Sequence, residues 1–280
     1  MTTEVTTYRY VRFALCCLLA GLAISVAAET IASGRWQTSI SSYYYTAAGP
    51  VFTAALCAMG VCLVVLRGYT DAEDTALNLA GLSAPMVGFV PTPEMGQEID
   101  KAAIVNNAWS YLAVMAIGWV VVLIFGMRKR GVGGSWPSRW AVIGLVAIAG
   151  AWAVGVAWLL IDQDSFAAKA HGLAALFTFV PFALAVVLNT DWGVRMIARE
   201  ADKARTRLDK TYWALVAAMA VLLVAGLVLG LSGWDYWLLA TEVSLLGCFT
   251  IFWVVQSFDL MDPERDSLTT RPGDPVTGSR

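Results

Sequence analysis

Eight apolar stretches divide the sequence, and the loops between them carry basic residues on alternate sides. A helix needs roughly 20 apolar residues to cross about 30 Å of hydrocarbon. Of all residues, 58% are hydrophobic and 14% are charged, whereas a soluble domain has about 25% charged residues. The pattern predicts an all-α fold, a polytopic membrane protein whose domain at 1–258 is a bundle of eight transmembrane helices. The predicted spans are 10–30, 49–67, 74–91, 108–127, 140–161, 167–189, 211–231 and 236–257.

The third stretch is the weakest of the eight because it is short and contains Gly81, Pro85 and Gly88. Proline inside a helix removes a backbone donor and bends the helix. Without this span, the later basic loops would lie on the wrong side of the membrane. We therefore predict a kinked third transmembrane helix.

The basic residues indicate the orientation of the chain. Sixteen of the 19 Lys and Arg residues fall on the side that holds both termini, and the other side has Arg35, Lys101 and Lys169. Cytoplasmic loops of membrane proteins carry an excess of Lys and Arg. The sequence predicts a multi-pass protein of the cell membrane with both termini in the cytoplasm.

The two ends of the chain allow further predictions. The first apolar run is preceded by Arg9 and Arg12 and contains the small residues 25–28, which resemble a signal cleavage site. The run is longer than the core of a usual signal peptide, so we predict a retained first helix. Residues 259–280 are polar and rich in Pro and Gly, and they are predicted to form a disordered cytoplasmic tail.

The loop 190–210 is strongly basic. The rule that favours positive loops inside the cell already explains these charges. A contact with anionic lipids is the alternative interpretation. The residues for such a contact are Arg195, Arg199, Lys203, Arg205 and Arg207.

No motif in the sequence indicates a particular reaction, a nucleotide-binding site or a metal site. The five Cys residues lie inside apolar stretches without metal-ligand spacing, which favours small buried side chains. We therefore predict no metal and no cofactor, and we expect the lipid bilayer as a partner but no nucleic acid.

Polar residues at membrane depth are costly and often functional. Most of them here belong to the predicted outer side, where they could bind a small molecule or a lipid headgroup. The tyrosines could instead form an aromatic belt, and the single His could be a packing residue. The candidate ligand-binding residues are Ser42, Tyr43, Tyr44, Tyr45, Asn107, His171 and Glu242.

Glu242 is the strongest of these candidates because no Lys or Arg lies one turn away on the same helix. A carboxylate at this depth needs a partner from another helix, or it takes up a proton and becomes neutral. The sequence predicts that this partner is His171 or a tyrosine of the 43–45 run.

The segment Ser39-Ile40-Ser41-Ser42-Tyr43-Tyr44-Tyr45-Thr46 resembles the S-I-S-x-Y-Y-Y-T outer-loop signature of an uncharacterised family of bacterial polytopic inner-membrane proteins. The resemblance covers residues 38–257 and implies that the loop, His171 and Glu242 belong to one recurring pattern. It implies no activity. The further matching segments are Arg67-Gly68-Tyr69, Glu73-Asp74, Leu79-Ala80-Gly81, Val90-Pro91-Thr92 and Asn106-Asn107.

Three functions compete at this point. The first is binding or transport of a small polar ligand or lipid headgroup through an outward-facing polar cavity. The second is a non-catalytic membrane scaffold or accessory subunit, whose polar residues only hold helices together. The third is a membrane-embedded lipid hydrolase, with Ser41 or Ser42 as nucleophile, His171 as base and Glu242 as the carboxylate that orients it. A Ser-to-His distance within hydrogen-bond range would favour the hydrolase.

Overall fold

The computed structural model describes residues 3–68, 70–94, 96–131, 138–190, 192 and 209–259. These residues form eight α-helices and one short 3-10 helix, Ser41–Tyr45, and contain no β-strand. Each α-helix lies over one of the eight apolar stretches. The α-helices are α1 Thr3–Ser33, α2 Gly49–Val65, α3 Asp71–Phe89, α4 Lys101–Gly131, α5 Arg139–Ile161, α6 Gln163–Leu188, α7 Asp209–Leu231 and α8 Trp237–Asp259.

Six of the described helices are long and apolar enough to cross a membrane. They are α1, α4, α5, α6, α7 and α8, and their apolar spans contain between 21 and 26 residues. Large apolar side chains such as Phe125 and Val224 are exposed on them, as expected for faces that contact lipid rather than water. The predicted multi-pass, all-helical architecture is therefore confirmed, but with six such helices instead of eight.

The two remaining helices, α2 and α3, differ from the other six for physical reasons. Helix α2 is apolar but has only 17 residues. Helix α3 has three acidic residues in its first turn, Asp71, Glu73 and Asp74, and contains Pro85. Ten of its 19 residues are buried, and it contacts α2, α4, α5 and α6. A helix surrounded by protein can be less apolar than one that faces lipid.

Close contact between α2 and α3 depends on glycine. A Cβ atom placed on Gly81 would lie 2.6 Å from the carbonyl oxygen of Gly60, and one placed on Gly60 would lie 2.5 Å from the carbonyl oxygen of Gly81. The ring of Pro85 packs against the same point. Small residues let membrane helices approach closely. The residues that make α3 a weak apolar span are therefore also the ones that pack against α2.

The described loops and helix ends gather at two ends of the bundle. We name the first the Ser41 end, formed by residues 34–48, 90–94, 96–100 and 232–236. We name the opposite one the Glu73 end, formed by residues 66–68 and 70 and the ends of the helices that pack near them. Hydrogen bonds between segments that are distant in sequence hold each end together.

Several predictions fall outside the described residues. They concern the basic residues Arg195, Arg199, Lys203, Arg205 and Arg207 and the tail after Asp259.

Candidate functional site

The segment 38–46 folds back into the bundle at the Ser41 end. Ile40 and Ser41 are each 7% exposed, Ser42 is 2% exposed and Tyr43 is fully buried. Apolar and aromatic side chains hold the loop against the helices. The loop is therefore part of the packed structure and can position side chains for chemistry.

The last helix holds this loop through Glu242. Its Oε2 atom accepts a hydrogen bond of 2.6 Å from the backbone N–H of Ile40, which is the residue preceding the 3-10 helix. One turn earlier on α8, the backbone N–H of Leu239 donates to the carbonyl oxygen of Thr38 at 2.9 Å. The carboxylate thus has a partner from another part of the chain, but that partner is a backbone group.

His171, on α6, contacts the next residue of the same loop. Its Nδ1 lies 2.6 Å from the carbonyl oxygen of Val90, and its Nε2 lies 3.0 Å from Oγ of Ser41. A carbonyl oxygen can only accept, so Nδ1 carries the hydrogen. In the neutral imidazole, Nε2 is then the acceptor for the Ser41 hydroxyl.

The predicted pairing of Glu242 with His171 or with a tyrosine of the 43–45 run is wrong. Glu242 binds the backbone of Ile40, whereas His171 binds Ser41 and the carbonyl of Val90. The two side chains reach consecutive residues of the loop and not each other. The orienting partner of His171 is accordingly a carbonyl oxygen, not the carboxylate that the hydrolase hypothesis assigned to it.

The tyrosines anchor the loop to its surroundings. The Tyr43 hydroxyl shares a hydrogen bond with Thr30 of α1, and the Tyr45 hydroxyl donates to the carbonyl oxygen of Thr92 at 2.8 Å. Burial, together with nearby Tyr44 and Glu94, raises the pKa of the Tyr45 hydroxyl, which therefore stays protonated and able to donate. The Tyr44 ring packs edge to face on Tyr45, with 5.3 Å between centroids.

Ser42 and Asn107 do not line the cavity that lies beneath the loop. The Ser42 hydroxyl bonds to Oγ of Ser39 at 2.7 Å and to the carboxylate of Glu94. Thr38 donates to the same carboxylate at 2.9 Å. Asn107 is half-buried on α4, a helix that contributes no residue to the cavity lining. Of the seven predicted ligand-binding residues, Glu242 is the one that lines the cavity.

A cavity lies directly beneath the loop, between α1, α2, α3, α6 and α8. It contains about 740 Å³ of space that is not filled by atoms, including the part that is open to the surroundings. Ser41 and Glu242 border it with Ile40, and Thr178 of α6 is the other polar side chain on its wall. The other lining residues are apolar: Leu22, Phe52, Leu56, Met59, Leu63, Ala84, Val87, Ala175, Phe179, Phe182, Leu246 and Phe249. The expected polar cavity is therefore an apolar cavity with a polar rim.

A second group of buried polar side chains lies at the Glu73 end. Glu73 is 1% exposed, and its Oε1 accepts hydrogen bonds from Asn189 at 2.6 Å and from Gln256 at 3.4 Å. Arg12, which is 4% exposed, donates to the Tyr8 hydroxyl at 2.7 Å and lies over the ring of Trp253. In the sequence, Arg12 indicates the orientation of the chain and the start of the first apolar run, but nothing in the sequence indicates that it is buried.

Within the described part of the chain, no group of three or more His, Cys, Asp or Glu residues could hold a metal ion. Comparison with models of known protein families, with curated proteins and with solved structures finds no match for this chain.

Proposed function

We propose that the protein binds an amphiphilic molecule of the membrane, with an apolar chain in the cavity and a polar head beside Ser41 and Glu242. The observation that carries this proposal is the distribution of polarity along the cavity wall. Two polar side chains border the cavity at its loop end, and nearly all other lining residues are apolar. A small polar ligand would lose its hydration there without gaining partners, whereas an apolar chain would be stabilised.

The length of the cavity fits one leaflet of a bilayer. Its lining on α2 runs from Phe52 to Leu63, which is about 16 Å at a rise of about 1.5 Å per residue. Half of a hydrocarbon core about 30 Å thick is about 15 Å. A single acyl or alkyl chain of a membrane lipid therefore matches the cavity in both polarity and length.

The polar rim favours a head that donates hydrogen bonds. A carboxylate is an acceptor, and the Ser41 oxygen can accept while its hydrogen is donated to His171. The lining contains no Lys or Arg that would attract an anionic head. A head with hydroxyl groups, such as glycerol, therefore suits the rim better than a phosphate or a free carboxylate.

The charge pattern supports an orientation of the chain in the membrane. We infer that α2 and α3 cross the membrane with the other six helices and that both termini lie in the cytoplasm. Lys and Arg are in excess in the loops on the side of the Glu73 end, which supports this orientation. The Ser41 end then faces outward, and the amphiphile enters from the outer leaflet.

Photocrosslinking tests the binding proposal. The probe is an ether-linked monoalkylglycerol with a diazirine on its alkyl chain, added to delipidated protein in detergent. We expect saturable crosslinks to cavity residues such as Met59 and Leu246.

The matched control uses two positions on α8. The substitution Leu246→Trp fills the cavity and should remove the saturable crosslinks, whereas Val243→Trp changes a position that is 51% exposed and should leave them unchanged. Crosslinks that persist in Leu246→Trp, or that occur only on exposed faces, would contradict the proposal and favour the scaffold function.

A further inference from the structure

Ser41 and His171 have the arrangement of an activated nucleophile and its base. The Ser41 Oγ lies 3.0 Å from Nε2 of His171, within the range for proton transfer. The carbonyl of Val90 binds Nδ1 at 2.6 Å and so fixes the tautomer in which Nε2 is free to take a proton. A base oriented by a third group is a general feature of nucleophilic catalysis.

Ser41 differs from its neighbour Ser42 in a way that matters for this chemistry. Ser41 borders the cavity and bonds to His171. Ser42 bonds to Ser39 and to the Glu94 carboxylate, and it does not line the cavity. The sequence left the two serines equivalent as nucleophiles, whereas the structure places one of them between a base and a binding cavity.

We propose that Ser41 and His171 cleave a carboxylic ester whose acyl chain occupies the cavity. This inference rests on the proposed function, because a chain in the cavity would bring the ester group beneath its polar head to the rim. The polar side chains at that rim are those of Ser41 and Glu242. The substrate class is an ester of a long-chain carboxylic acid with a neutral, hydroxyl-bearing alcohol.

The reaction is balanced by water as the second substrate. The Ser41 Oγ forms a bond to the ester carbonyl carbon while its proton moves to Nε2 of His171. The bond to the alcohol oxygen then breaks, and the departing alcohol takes that proton, leaving an acyl group on Ser41. Water attacks the acyl carbon and gives a proton to Nε2, which returns it to Oγ as the Ser41–acyl bond breaks. The products are a carboxylic acid and an alcohol, with no oxidation or reduction.

A long-chain alkyl fluorophosphonate tests the nucleophile directly. Its phosphorus forms a bond to an activated serine oxygen as fluoride leaves, and the adduct is located by mass spectrometry of the full-length protein and its peptides. We expect one adduct, on Ser41. Because a general base contributes about 10²–10⁴-fold, the substitution His171→Gln should slow its formation about 100-fold or more.

Two serine variants separate the neighbouring hydroxyl groups. Ser41→Ala should abolish the adduct and the release of fatty acid from a long-chain monoacylglycerol. Ser42→Ala should retain both. Crosslinking by the ether-linked alkylglycerol, which cannot be hydrolysed, verifies that the cavity is intact in each variant.

The same probes distinguish failure of this inference from failure of the binding proposal. Saturable crosslinking of the ether probe without any Ser41 adduct or ester cleavage would overturn the inference and leave amphiphile binding in place. Loss of crosslinking in the unmodified protein would overturn both. An adduct on a different serine, or an adduct rate that is unchanged in His171→Gln, would also overturn the inference.

Discussion

Glu242 both borders the cavity and holds the loop above it. Its carboxylate accepts from the N–H of Ile40, and that N–H belongs to a residue that is 7% exposed. The sequence identifies Glu242 because an acidic side chain in an apolar helix needs a partner. It could not identify the partner, since every residue has a backbone N–H and only the fold decides which one is within reach.

Removal of the Glu242 carboxylate should destabilise the protein. In Glu242→Ala, the buried N–H of Ile40 loses its acceptor, at a cost of about 1–3 kcal/mol. Glu242→Gln keeps a side-chain oxygen and should be more stable than Glu242→Ala. Thermal unfolding in detergent measures the difference.

The exposed acid Glu98 provides the control, because Glu98→Ala at the same end of the bundle should change the free energy of unfolding by less than about 0.5 kcal/mol. Equal stability of Glu242→Ala and Glu242→Gln would show that the bond to Ile40 contributes nothing.

His171 and the tyrosines show the same limit of sequence reasoning. Their types and depth indicated a polar site on one side of the membrane, and His171 does bond to the loop. Tyr43 and Tyr45 instead fasten that loop to Thr30 and to the carbonyl of Thr92. Five hydroxyl groups follow one another in the Ser-Ser-Tyr-Tyr-Tyr run, and only packing decides which one faces a cavity.

At the level of elements, the apolar pattern located the helices well because most of the apolar stretches are long and polar residues lie between them. The pattern is less informative for α2 and α3, which pack inside the bundle. There, the glycines at positions 60 and 81 allow the backbones to meet. Interruptions that reduce the apolar character of a span can therefore be its packing surface.

This packing predicts the effect of adding one methyl group. Gly81→Ala places a Cβ atom 2.6 Å from the carbonyl oxygen of Gly60, so the helices must separate, at a cost of about 1–3 kcal/mol. Gly118→Ala on α4 meets no atom within 4 Å and should be neutral or stabilising, because alanine favours the helix by about 1 kcal/mol. Thermal unfolding of the two variants in the same detergent decides the point, and equal midpoints would contradict the close approach of α2 and α3.

At the level of the whole molecule, the cavity depends on residues from five helices and one loop. No periodicity or motif in the sequence could reveal it, because its walls are ordinary apolar residues that elsewhere form a filled core. The sequence predicted polar side chains at the end that holds the loop 38–46, whereas the structure has buried polar side chains at both ends. The apolar interior of the site and the separate polar group around Glu73 emerge only when the helices are assembled.

The proposed function depends on whether α2 and α3 cross the membrane. If both helices cross the membrane, their connection lies on the cytoplasmic side and the loop 38–46 closes the outer end of the bundle. If neither helix crosses, the connection between α2 and α3 remains outside the cell. The cavity between these helices and α6 would then not extend through the outer leaflet.

Accessibility of single cysteines to a membrane-impermeant maleimide on intact cells tests this claim most directly. Arg67→Cys and Arg35→Cys are matched, since both replace an exposed arginine, one at each end of the bundle. Labelling is compared with that of the parent chain, which has five cysteines of its own. We predict that Arg35→Cys labels in intact cells and that Arg67→Cys labels only after the membrane is opened. Labelling of Arg67→Cys in intact cells would contradict the account.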